Sequence, residues 1–205
     1  RLRPHLKTAK SLDVAAFASG RGPIGLTVST LKEAGYFGRA GYHDLLLATP
    51  VVPNKFAHAA GIMAETGADL VLATDSAWVV EAAAGFAAAA GIRLSFVIEI
   101  DCGEHRSGLP ADDASIVGLA RAIHATPHLR LRGIMTHAGH SYATDEIPQV
   151  SDIARSERDA AAASAAAIRV AGLPCDIVSI GSTPTVLFAR DFEGITEVRC
   201  GIYMF

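Results

Sequence analysis

Short apolar runs recur along the whole chain, each followed by a segment of helical pattern, and this repetition limits the possible folds more than any other feature. The runs are Leu2–Leu6, Gly25–Ser29, Asp44–Leu47, Asp69–Ala73, Leu94–Ile100, Leu129–Met135, Asp176–Ile180 and Glu197–Met204. They are rich in Val, Ile and Leu, as strands covered on both faces must be. Helices are predicted over Thr30–Arg39, Asn54–Thr66, Ser76–Ala90, Ala111–Ala125 and Ser151–Ala171. Pro53 and Pro110 precede two of them, and Gly91 and Gly172 stop two others, in keeping with the preference for Pro at helix starts and Gly just past helix ends. No linker or low-complexity stretch interrupts the alternation. The prediction is therefore an α/β chain forming one (β/α)8 TIM-type barrel over residues 1–205. An open doubly wound sheet would carry a Gly-rich phosphate loop after its first strand. Here that strand runs into Lys7-Thr-Ala-Lys10 instead.

Composition removes several function classes. Half of the 205 residues are hydrophobic and 19% are charged, with a mean hydropathy of +0.31. Such a chain can bury a sizeable core and is not disordered. The net charge is -3 and there is no Lys/Arg run, so no nucleic-acid partner is expected. No apolar stretch reaches the roughly 18 residues of a membrane span. No signal peptide is visible in a chain opening with Arg1, Arg3, His5 and Lys7. Cys102, Cys175 and Cys200 are odd in number and form no CxxC, which points to a reduced, cytoplasmic protein without a disulfide framework or zinc ribbon. The first residue is not Met and the last two, Met204-Phe205, fall inside an apolar run. Both ends read as cut, so the chain is expected to be a piece of a longer protein.

Barrel chemistry gathers at the C-terminal ends of the strands. Lys7 ends the first strand, where a lysine partly withdrawn from water and beside other cations can attack a carbonyl and form a Schiff base. Ile180-Gly-Ser-Thr-Pro-Thr185 combines close backbone approach at Gly with hydroxyl and N–H donors, the materials of a phosphate cradle. His137 lies in Met135-Thr-His-Ala-Gly-His-Ser-Tyr142, where three polar rings fall within six residues. An imidazole there can stack on a flat cofactor, transfer protons or bind metal. Arg106 and Arg199 are permanent cations, able to donate to a pyridine nitrogen or grip a carboxylate. Taken singly, each has a plainer role: a solvated lysine, an ordinary turn, a core histidine, a surface ion pair. His5, His43, His58, His105, His124 and His128 lack ligand-like spacing and are mostly read as surface residues, and Cys200 as a small packing residue.

Five segments occur in order: Arg3-Pro-His-Leu-Lys-Thr8; Val28-Ser-Thr-Leu-Lys-Glu-Ala34; Glu99-Ile-Asp-Cys-Gly103 with Arg106-Ser-Gly108; Thr136-His-Ala-Gly-His-Ser-Tyr142; and Glu197-Val-Arg-Cys-Gly-Ile-Tyr203. Together they resemble the D-serine dehydratase/D-threonine aldolase-like family of fold-type III pyridoxal phosphate enzymes, related to the alanine racemase N-terminal domain. The resemblance covers nearly the whole chain. It implies that Lys7 is the Schiff-base lysine, that His137 lies against the cofactor ring, and that Arg199 faces the pyridine nitrogen. It also implies that Arg106 sits near the phenolic oxygen and substrate carboxylate, and that Tyr142 stands at the mouth. Gly181, Ser182, Thr183, Gly201 and Ile202 match the phosphate cradle, with Tyr203 beside them among the cofactor-binding residues. The catalytic set so implied is Lys7, His137 and Tyr142. Ala9 departs from the histidine often found there. Family members carry a second, β-rich domain whose His and Cys bind a divalent metal, zinc or manganese; that region would follow Phe205, and no metal ligand is assigned within this chain.

The implied activity is a lyase of D-amino acid metabolism acting on a small-molecule substrate with a β-hydroxyl, D-serine dehydratase first. D-threonine aldolase chemistry and amino-acid racemisation are the alternatives on the same barrel. A non-catalytic pyridoxal phosphate carrier fits less well, because of the Thr136–Tyr142 segment. A homodimer is expected for the full-length protein, with no membrane partner.

Overall fold

The computed structural model describes residues 1–20 and 24–204. Along the chain run α1 (Leu12–Ser19), β1 (Leu26–Val28), α2 (Leu31–Arg39), β2 (Asp44–Pro50), α3 (Phe56–Thr66), β3 (Asp69–Thr74), α4 (Ala77–Ala90), β4 (Leu94–Asp101), β5 (Leu109–Pro110), α5 (Ser115–Ala125), β6 (Leu129–Thr136), α6 (Ile147–Val170), β7 (Ile177–Ile180), α7 (Thr183–Phe188) and β8 (Glu197–Val198). The sheet is parallel throughout, in the order β1-β2-β3-β4-β6-β7-β8, with the two-residue β5 attached to β4.

Residues 1–6 join the two edges of this sheet. Leu2 bridges Val198 and His5 bridges Thr27, both in parallel. The Arg3 and His5 amides donate to the Val198 and Cys200 carbonyls at 2.9 and 2.8 Å, and Leu6 donates to Thr27 at 3.0 Å. A continuous first strand was predicted over Leu2–Leu6, but only these bridges form. Pro4 lacks an N–H and contributes only its carbonyl, which accepts from Thr27 at 2.8 Å. The ring is closed all the same.

Strand alternation sorts side chains into two cores. Leu45, Leu47, Leu70, Leu72, Phe96, Ile98, Ile134, Val178 and Ile180 face the helices, together with Phe37, Phe56 and Ile123 from the helical layer. Leu46, Val71, Ala73, Val97, Met135 and Ile177 fill the interior. Each fully buried aliphatic side chain contributes about 1.5–3 kcal/mol. At the N-terminal end of the barrel the interior is polar. Arg3 is fully buried there and donates to Glu197 Oε1 at 2.8 Å and Asp44 Oδ1 at 2.7 Å.

Local chemistry explains the helix ends. Thr30 caps α2 by accepting from the Glu33 amide at 3.1 Å, while the Glu33 carboxylate accepts from the Ser29 amide at 2.8 Å. Gly67 and Gly91 end α3 and α4 with left-handed φ of 68° and 63°. The predicted helix over Ala111–Ala125 begins at Ser115, because Asp113 caps the Ser115 amide at 2.7 Å. The one predicted over Ser151–Ala171 begins earlier, at Ile147, with Pro148 in its first turn. The short α1 and α7 were not predicted. The last strand, expected to reach Met204, stops at Val198: the Gly201 and Ile202 amides turn to Thr183 Oγ1, and Ile202–Met204 form a 3-10 turn. Among the described residues no helix is long and apolar enough to cross a membrane.

Candidate active site

The alternation that fills the barrel also builds a cleft at the C-terminal ends of its strands. Inward positions at this end are His5 on the closing segment, Lys7 in the turn after it, Ser29 after β1, Ala48 and Pro50 on β2, Met135 and His137 at β6, Gly181 after β7 and Arg199 after β8. Thr49, Arg106 and Ser107 complete a lining that encloses about 140 Å³. Lys7, Arg106 and Arg199 bring positive charge, and among the described residues no Asp or Glu lines the space. Such a cleft suits an anionic occupant.

Lys7 is exposed, in the turn beyond the barrel-closing segment. Its amide donates to His5 Nδ1 at 3.4 Å. That leaves the proton on His5 Nε2, which lies 3.5 Å from Ser29 Oγ. Burial, then the Lys7 and Arg199 cations, push His5 down to about 3, so it is neutral at physiological pH. His5 was read among mostly surface histidines, yet it lines the cleft. Its place at the end of the predicted first strand, two residues before Lys7, is the sequence signal for that position.

His137 donates from Nδ1 to the Gly181 carbonyl at 2.8 Å. A carbonyl only accepts, so this bond fixes the tautomer and leaves Nε2 as a free acceptor. Burial is the largest influence on the ring and pulls it below the usual histidine range. The Gly181 bond opposes this shift, and the Arg199 and Arg106 cations assist it. Gly181 has φ of 140°, and a Cβ there would lie 2.8 Å from the Arg199 amide nitrogen, so only glycine fits the crossing.

Arg199 is buried. Its guanidinium donates to Ser179 Oγ at 2.8 Å and to the Thr136 carbonyl. Ser179 in turn donates to Glu197 Oε1 at 2.8 Å. Burial pulls Arg199 below the usual arginine value, and Glu157, Glu197 and Glu99 push it back. Glu99 accepts from Ser107 Oγ at 3.0 Å, while its Oε2 is buried without a partner. Burial raises its carboxyl above the usual range.

Beside the cleft lies a cluster of hydroxyl and amide groups. Ser182 caps α7 and its Oγ sits 2.7 Å from Ser141 Oγ. The Gly201 and Ile202 amides both donate to Thr183 Oγ1 at 3.2 Å, and the Thr183 amide donates to the Tyr142 hydroxyl at 3.2 Å. Of the residues singled out from sequence, the cleft thus collects Lys7, Arg106, His137, Gly181 and Arg199, and the adjoining cluster collects Tyr142, Ser182, Thr183, Gly201 and Ile202. Arg106 is paired at the rim with Glu104 at 3.1 Å. Tyr203 is not brought to either group. It lines a separate surface hollow with Leu2, Val14 and Phe17, because the chain turns after Gly201. Ser29, Ser107, Met135 and Glu157 were not foreseen. Among the described residues no three His, Cys, Asp or Glu side chains are placed to hold a metal. Burial holds the Cys175 and Cys200 thiols at about 11, which excludes them as thiolate nucleophiles.

A closed parallel barrel with a lysine at the mouth of its first strand and a buried arginine after its last defines a small-molecule site at the C-terminal face of a barrel. The chain belongs to the family described as "Alanine racemase, N-terminal domain", whose model matches residues 1–205. It is 44% identical over 206 residues to the D-threo-3-hydroxyaspartate dehydratase of Delftia sp. (strain HT23), covering all of this chain and 54% of that protein. The solved structure of that dehydratase superposes with a TM-score of 0.96. The chain is 30% identical to the 3-hydroxy-D-aspartate aldolase of Paracoccus denitrificans (strain Pd 1222), covering all of this chain and 53% of the relative. It is 27% identical to the D-serine dehydratase of Dictyostelium discoideum, with coverage of 100% and 55%. The chain spans about half the length of these relatives.

Proposed function

We propose that this chain is the cofactor-binding barrel of a pyridoxal phosphate-dependent lyase acting on β-hydroxy D-amino acids, with dehydration of a 3-hydroxy-D-aspartate-type substrate as its leading reaction. The observation that carries this reading is the cleft lined by Lys7, Arg106 and Arg199, with no carboxylate among the described residues of its wall. The 44% identity to a D-threo-3-hydroxyaspartate dehydratase supports a substrate with two carboxylates ahead of D-serine. Aldol cleavage is the second reading, supported by the 30% identity to an aldolase of 3-hydroxy-D-aspartate.

The residues present fit the cofactor. Thr183 Oγ1 and the Gly201 and Ile202 amides converge within 3.2 Å, a donor set suited to phosphate oxygens. Lys7, His137 and Arg199 border one cleft and would hold the ring, and Arg106 at the rim would receive the substrate carboxylate. When bound, pyridoxal phosphate supplies an electrophilic carbonyl for the substrate amine and a sink for the electrons released at Cα. The chain contributes binding and proton handling. Lys7 Nζ, at the cleft, would take the Cα proton as general base. The neutral His137 keeps Nε2 as an acceptor towards the cleft, and Tyr142 offers its hydroxyl beside the Thr183 amide. The fixed charge of Arg199 would disfavour protonation of a ring nitrogen held against it, and so would moderate the sink that the cofactor supplies. Among the described residues no ligand set is found for the divalent metal expected of this family.

The free thiols Cys102, Cys175 and Cys200 support a cytoplasmic setting. A homodimer is proposed for the full-length protein, and sedimentation tests it. Full-length protein incubated with pyridoxal phosphate and D-threo-3-hydroxyaspartate should release ammonia and oxaloacetate. Glycine and glyoxylate in their place would establish the aldolase reading. No turnover of this substrate, D-serine or D-threonine would overturn the proposal.

A further inference from the structure

Glu157 lies in the middle of α6, fully buried between that helix and the sheet. Its carboxylate meets three neutral donors: the Gly181 amide at 3.0 Å and Thr136 Oγ1 at 2.9 Å on Oε1, and Thr185 Oγ1 at 2.7 Å on Oε2. A charged carboxylate is costly to bury, and well-packed apolar residues would serve a helix–sheet contact at least as well. Its three partners account for its presence. Gly181 is the residue whose carbonyl fixes the His137 tautomer. Thr136 supplies the carbonyl that receives Arg199. Thr185 closes the reciprocal cap with Ser182 at the start of α7, next to the Thr183 cluster. One carboxylate outside the cleft is therefore a single bond from each of the three parts that would hold ring, nitrogen and phosphate. It is also the foremost of the acidic neighbours that support the Arg199 charge.

We propose that Glu157 is a positioning residue of the cofactor site, holding the Gly181, Thr136 and Thr185 elements in register and supplying the negative charge that balances Arg199 across the barrel wall. The proposal rests on the pyridoxal phosphate reading above. It assigns two separable duties, hydrogen bonding and charge. Glu157→Asp keeps the charge on a shorter arm, and Glu157→Gln keeps the shape and loses the charge.

The test uses full-length protein, with folding checked by circular dichroism. The readouts are the dissociation constant for pyridoxal phosphate and the pH titration of the bound cofactor's absorbance. Both variants should bind pyridoxal phosphate at least tenfold more weakly. In Glu157→Gln the titration should also move to lower pH, by on the order of one unit, because the site loses a nearby negative charge. In Glu157→Asp it should stay at the wild-type position. A folded Glu157→Gln with wild-type affinity and titration overturns the proposal, as does an identical titration shift in both variants. If Glu157→Gln does not fold, Thr185→Val is read in its place: threefold or greater weakening supports the proposal and wild-type binding overturns it. Wild-type protein that fails to bind pyridoxal phosphate refutes the functional reading and this inference together, whereas normal binding in every variant refutes this inference alone.

Discussion

Replacing Arg199 with Met removes the charge from the barrel interior at nearly constant length. The guanidinium makes two buried hydrogen bonds, to Ser179 and to the Thr136 carbonyl. Bonds from a charged donor are worth about 1.5–3 kcal/mol each, so the two together are worth about 3–6 kcal/mol. The Ser179 hydroxyl keeps its bond to Glu197, and Glu197 keeps its ion pair with Arg3, so the loss falls on the Thr136 carbonyl and on Glu157 and Glu99, which lose a nearby positive charge. A deficit of about 3–6 kcal/mol at pH 7 is therefore expected in urea unfolding of full-length protein. Its pH dependence has a definite sign. Burial already raises Glu99, and removing Arg199 raises it further. A carboxyl raised in the folded state binds more protons there than in the unfolded chain, so stability falls as pH rises through the titration. The deficit should be largest at pH 7–8 and shrink towards pH 5. Arg199→Glu would add a fourth carboxylate to the same interior, which makes Met the informative replacement. A deficit below about 1 kcal/mol, or one that does not change with pH, would refute the view that Arg199 neutralises these carboxyls.

Borohydride reduction of full-length protein with pyridoxal phosphate should fix the label on Lys7, as read by peptide mass spectrometry; labelling of Lys10 or Lys55 would move the site. Thr183→Val removes the oxygen on which the Gly201 and Ile202 amides converge. It should weaken pyridoxal phosphate binding about tenfold or more, corresponding to at least ~1.4 kcal/mol, while unchanged affinity would place the phosphate elsewhere. His5 is lowered from 6.5 to about 3, so the stability linked to its neutral form is fully present above 6.5 and is lost as pH falls towards about 3. In His5→Gln the acid-unfolding midpoint should shift to lower pH, and an unmoved midpoint would show that His5 is not held neutral.

The positions of β1 to β4, β6 and β7 were legible because each is a short aliphatic run, and a sheet covered on both faces leaves little choice of side chain, whereas the two-residue β5 carried no pattern to read. The lysine, the His137 segment, the Gly181–Thr183 turn and Arg199 were legible for a related reason: barrel chemistry sits at strand ends, and those ends can be counted along the sequence. Helix starts were less so. α6 begins four residues earlier, with Pro148 in its first turn, and α5 begins later, just after Asp113 accepts from the Ser115 amide, since a helix start is decided by one or two residues rather than by a pattern. The short α7 carried too few residues for its periodicity to show.

By itself, the sequence determined the alternation of strands and helices and the side of each strand that a residue takes, because both follow from the local period of the backbone. Only the tertiary structure decided that residues 1–6 close the ring between β1 and β8, with Pro4 restricting them to bridges. It alone turned Tyr203 away from the cleft, brought His5 into it, and set Glu157 beneath Gly181, Thr136 and Thr185. Burial and charge interaction are sums over neighbours that lie 20 to 194 residues apart along the chain, from Ser29 and Thr49 to Arg3 and Glu197, and no local pattern records such sums.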